Sequence, residues 1–104
     1  MRPNRYAYEK FSSAIHYMAT SNKSLKDRIA MGYVNELCHI GGEDRTKDKR
    51  VSQTLDQLDK FFKRKDSEGK ILDAYSSVRH KRHTTVQNMA ELIFDTFIYL
   101  KNQS

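Results

Sequence analysis

The chain has 104 residues, 31% of them charged, and a formal net charge of +6. That length holds one modest hydrophobic core and not two. One proline, four glycines and no sustained apolar–polar alternation exclude a turn-rich all-β fold. The regular recurrence of Leu, Ile, Val, Phe and Tyr excludes a disordered chain. The expected fold is all-α: a single helical domain, residues 1–104, packed as a compact bundle of about five short amphipathic helices.

The first helix is expected from Arg5 to Ala19, after an Asn4 cap, with Tyr8, Phe11, Ile15 and Met18 as its apolar stripe. Ser24-Leu25-Lys26-Asp27 has the spacing of a capping box and opens the second helix. Its stripe is Ala30, Tyr33, Val34, Leu37 and Ile40, with Gly41-Gly42 as the stop. Gly32 falls on the opposite face, where a glycine implies either a close backbone approach or a bend. Glu43 to Lys49 reads as a charged loop before a third helix. There Val51, Leu55, Leu58 and Phe62 form a narrow seam, and Lys49, Gln53, Lys60 and Arg64 share the far side. A short fourth helix is expected over Lys70 to His80, with Ile71, Ala74, Tyr75 and Val78 inward. Thr84-Thr85-Val86-Gln87 then caps a fifth, Val86 to Lys101, whose apolar arc exceeds half the circumference. An arc that wide implies a central position in the bundle or cover from another chain.

Chemical signatures are scarce. Cys38 and His39 are adjacent and point apart on a helix, and His80 and His83 lie among Arg79, Lys81 and Arg82 without further ligands, so no metal site is expected. Gly41-Gly42 lacks the Lys-Ser/Thr that follows in a phosphate loop. Glu43-Asp44 sits in a solvated loop that cannot shift a carboxylate towards general-base work. Arg79 and His83 are too close for the Arg–His spacing of small helical ribonucleases. Cys38, at the edge of an apolar stripe, reads as a small buried hydrophobe. The chain is expected to be no enzyme and to carry no cofactor or small-molecule substrate. A single cysteine, no apolar leader after Met1, and a longest apolar run broken by Glu91 and Asp95 give the further expectation of a cytoplasmic protein without membrane contact.

What remains is charge and one apolar face. Arg45, Lys47, Lys49 and Arg50 precede the third helix; Lys60, Lys63, Arg64 and Lys65 close it; Arg79, Lys81 and Arg82 close the fourth. Such clusters suit phosphates, which reward cations without regard to base sequence. Placed at helix C-termini, they also complement the macrodipole without any ligand. The candidate phosphate contacts are Lys49, Lys60, Lys63, Arg64, Arg79, Lys81 and Arg82, and the expected partner is an RNA or DNA backbone met by a small subunit or accessory protein of a larger complex. Tyr6, Tyr17, Phe61 and Tyr99 lie off the stripes as potential stacking rings. The alternative is a protein-interaction module, an adaptor, inhibitor or homodimer, that uses Phe94, Ile98 and Tyr99 on the last helix.

Overall fold

Asp48, Ser24 and Asp73 each precede a helix and cap it, and these caps fix where three of the helices begin. The computed structural model describes residues 4–63, 67–70 and 73–103. Among them run six α-helices and no strand: α1 (Arg5–Thr20), α2 (Leu25–Asn35), α3 (Gly42–Thr46), α4 (Lys49–Phe62), α5 (Ala74–Arg79) and α6 (His83–Lys101), with a 3-10 turn over Leu37–His39. They pack as a compact all-α bundle. Lys65 and Ile71 lie outside the described residues.

α1 buries Ala7, Phe11 and Ala14. The expected stripe is thus turned by about one residue: Phe11 is central, while Tyr8, Ile15 and Met18 flank the core. Small residues account for the turn, because α2 lies against Ala14. A Cβ built on Gly32 would stand 3.3 Å from Ala14 Cβ and 3.4 Å from its carbonyl oxygen. Gly32 is therefore buried, not on the far face, and its role is close backbone approach. Asn4 occupies the N-cap position of α1, but its side chain makes no capping bond.

α2 ends at Asn35, well before the glycines. The 3-10 turn that follows has three residues per turn, so Leu37 and Ile40 stack on one side and are both buried. Val34, expected inside, is 36% exposed, and Ile29 takes its place in the core. Gly41 and Gly42 begin α3 within the expected loop, and Gly42 has a φ of +55° that suits glycine.

α4 buries Val51, Leu55, Leu58 and Phe62 as the seam requires, and adds Thr54 and Phe61. Phe61 stands edge-on to Phe62, with ring centroids 4.8 Å apart, so it serves the core rather than a ligand. α5 starts later than expected, at the Asp73 cap, and leaves Tyr75 37% exposed. α6 starts earlier, after Arg82, so Thr84 lies inside the helix and the expected capping box is not used.

α4 and α6 run antiparallel. Tyr99 near the end of α6 donates to Asp48 at the start of α4, the Thr54 and Thr96 hydroxyls meet at 2.8 Å, and Lys81 before α6 sits over the ring of Phe61 at the end of α4. α1 covers another side of α6 through the stacked Tyr8 and Phe97 rings, 5.7 Å apart. The wide apolar arc of α6 is mostly covered in this way: Val86, Ile93 and Leu100 are buried, and Met89, Ala90 and Phe97 pack on the core.

Candidate nucleic-acid interface

The first turn of α4 is organised by one carboxylate. Asp48 is 8% exposed and accepts hydrogen bonds from the backbone N–H of Arg50 and Val51, from Tyr99 Oη at 2.9 Å and from Gln103 Nε2 at 3.1 Å. Burial on its own raises a carboxyl pKa, but these donors outweigh it and hold Asp48 below the ordinary carboxylate value. The bond to Asp48 keeps the Tyr99 hydroxyl protonated above its ordinary value. With Tyr99 so anchored, the Arg50 guanidinium lies over its ring, 5.0 Å from the centroid. Lys47, Lys49, Arg50 and Gln53 surround this pair in an open cleft of about 550 Å³.

Further along α4 the acids are occupied. Arg45 of α3 reaches across to Asp56 and to Asp59, the latter at 2.9 Å. Asp59 also accepts from the Tyr33 hydroxyl at 2.6 Å. Burial, then the bond to Asp59, pushes the Tyr33 pKa far above its ordinary value. The outer face of α4 therefore presents Lys49, Gln53 and Lys60 beside an Asp56 that already has its counter-ion.

The sequence candidates divide between two ends of this helix. Lys49 stands at its start, and Lys60 and Lys63 at its finish, roughly 16 Å further along at the rise of an α-helix. Lys81 joins the second group through the Phe61 ring, 5.1 Å from its Nζ. Arg79 and Arg82 flank Lys81 in sequence, and the Arg79 carbonyl accepts from Lys26 Nζ at 3.0 Å, which brings the start of α2 to the same end. Lys49, Lys60, Arg79 and Arg82 are exposed and form no ion pair with any described residue. Lys63 is partly neutralised by Asp59, 3.8 Å away. Arg64 lies outside the described residues.

Of the partner-contact candidates, Phe94 is 48% exposed, whereas Ile98 and Tyr99 are half-buried. Neither the Asp48 clamp nor the Arg50–Tyr99 pair is among the expectations drawn from sequence. An aspartate directly before a helix start is a usable signal for the first; the second requires knowing that α4 and α6 are antiparallel. Cys38, expected inside, is exposed, with its Sγ 3.1 Å from the Val34 carbonyl oxygen. Partial desolvation by its neighbours is the largest influence on the thiol and raises its pKa, which disfavours the thiolate.

Among the described residues, no group of three or more His, Cys, Asp or Glu could hold a metal ion, and no helix is long and apolar enough to cross a membrane. Compared with known proteins, the chain matches no family model, no curated sequence and no solved structure.

Proposed function

We propose that the chain is a non-enzymatic binding module that grips nucleic-acid phosphates through the outer face of α4 and the α5–α6 junction, as a small subunit or accessory protein of a larger complex. One observation carries this reading: acids near these cations are consumed inside the fold while the cations are not. Asp48 and Asp73 cap helices, and Asp56 and Asp59 are held by Arg45; Lys49, Lys60 and Arg82 keep their charge for solvent or a ligand, while Arg79 lies within the field of Asp73. The span from Lys49 to Lys60 matches on the order of five phosphates along one strand of B-form geometry. Phosphate contacts fix position without reading bases, so broad sequence tolerance is expected.

The test is fluorescence anisotropy against generic RNA and DNA over a series of salt concentrations. Affinity is expected to fall steeply with salt. Lys49→Ala and Lys60→Ala each remove one phosphate-binding cation, and each is expected to flatten the log–log slope by about 0.9. No binding at about 50 mM salt, or binding indifferent to salt, removes the proposal.

A second reading, a protein partner on α6, draws on the exposed ring of Phe94 beside the half-buried Ile98. Light scattering of Phe94→Lys and Ile98→Lys decides it. A monomer that stays soluble and keeps its co-purifying proteins through both changes leaves that reading without support.

A further inference from the structure

Two concave surfaces meet at the Arg50–Tyr99 pair. The cationic cleft at the start of α4 shares both residues with a groove of about 590 Å³ along α6, lined further by Phe94, Asp95 and Ile98. The first surface offers Lys49 and Arg50, with Lys47 partly neutralised by Asp44 at 3.6 Å; the second offers the most exposed large apolar side chain among the described residues. We infer that this continuous groove takes a single-stranded nucleic acid, with a phosphate at Lys49 and Arg50 and an unpaired base on the ring of Phe94.

The inference rests on the phosphate-binding reading and narrows it to single strands. A duplex hides its base faces in the stack, whereas a single strand presents one π-face per nucleotide, and an aromatic ring beside a cationic track is what such faces bind. Arg50 suits the junction because its guanidinium already stands over the ring of Tyr99, which Asp48 holds in place. Arg50 is exposed, so its guanidinium stays open to a base or a phosphate. The two acids of the groove do not oppose the arrangement. Asp48 is saturated by its four donors, and Asp95, on the α6 side, disfavours a phosphate there and leaves that side to the base. An acidic protein segment would find the same cations but would gain less from a bare phenyl ring than a base does.

The experiment uses the full chain with labelled oligonucleotides of equal total phosphate number, the single strands being twice the length of the duplex: single-stranded RNA, single-stranded DNA and a blunt duplex, with an oligoglutamate competitor. Either single strand is expected to bind more tightly than the duplex at the same salt. Phe94→Ala is expected to weaken single-strand binding by about 5- to 150-fold and leave the duplex and the salt slope unchanged. Phe94→Tyr, which keeps a ring, is expected to restore affinity and separates stacking from misfolding. Equal binding of strand and duplex, unmoved by Phe94→Ala, overturns the inference while salt-dependent affinity upholds the broader proposal. Oligoglutamate that displaces the strand at equal concentration of charge overturns it in favour of an acidic protein partner. Failure of every oligonucleotide at low salt overturns both.

Discussion

Thr54 of α4 and Thr96 of α6 share a hydrogen bond of 2.8 Å between hydroxyls fully removed from water. The pair lies between the Tyr99–Asp48 bond and the Lys81–Phe61 contact along the antiparallel crossing. It fixes the register of the two helices that carry the proposed binding surface.

Replacing either threonine by valine keeps the volume and strands the other hydroxyl. Each single change is expected to cost about 1–3 kcal/mol, and the double change less than the sum, because no orphan polar group is then left. Urea denaturation of the three variants checks this. Strict additivity would show that the two hydroxyls do not act as a pair.

Gly32 tests how closely α1 and α2 must approach. Alanine gains about 1 kcal/mol of helix propensity, but its methyl meets Ala14 at 3.3 Å, and overpacking costs about 1–3 kcal/mol. A net loss is expected for Gly32→Ala and a larger one for Gly32→Leu, read as lowered Tm. A gain on either substitution would mean that the helices separate without resistance.

Acid should loosen the α4–α6 clamp. The Asp48 carboxyl titrates lower in the folded chain than in the unfolded one, so its contribution is present above the ordinary Asp value of about 3.9 and fades as pH falls through the folded value. Asp48→Asn keeps a capping side chain but loses the charge. It is expected to lower stability at neutral pH and to flatten the slope below about pH 4.

Alkali acts on Tyr33 in the opposite sense. Its folded pKa is raised, so the stabilisation is complete below the ordinary tyrosine value of about 10 and is lost as pH climbs towards the folded value. Tyr33→Phe removes a hydrogen bond to a carboxylate, with an expected cost of about 1.5–3 kcal/mol at pH 7 and a shallower decline above pH 10.

Arg45 is expected to matter for ligand binding although its guanidinium is turned towards Asp56 and Asp59 rather than outward. Arg45→Ala uncovers two carboxylates beside Lys60 and should weaken polyanion binding by more than the removal of one cation explains. Comparing its low-salt affinity with that of Lys60→Ala decides the point.

Much of the fold was legible because burial leaves a period. The seam of α4 and the Ser24 cap could be read from spacing alone, since each depends on residues within one or two turns. The misreadings share a different cause. Val34, Tyr75 and the phase of α1 were set by which neighbour arrived, and Gly32 chose its face by its fit to Ala14. The break after Asn35 let Leu37 and Ile40 both reach the core, a tertiary demand that overrode the glycine stop. For the candidate site, composition marked the clusters of cations but not which side chains they meet. Pairing Arg50 with Tyr99, or Lys81 with Phe61, requires elements far apart in sequence to be adjacent in space.

The Asp48 clamp has a kinetic corollary. Its bonds to Arg50 and Val51 can close as soon as α4 begins to wind, but those to Tyr99 and Gln103 must wait for a segment some 50 residues downstream, and contacts of such separation form late. A nascent chain therefore holds the start of α4 before it holds Tyr99, and without Tyr99 the Arg50 side chain has no platform. On the proposed reading, competence to bind would be acquired in the last stage of folding, and an incomplete polypeptide would carry the cations already in place with the groove still unmade.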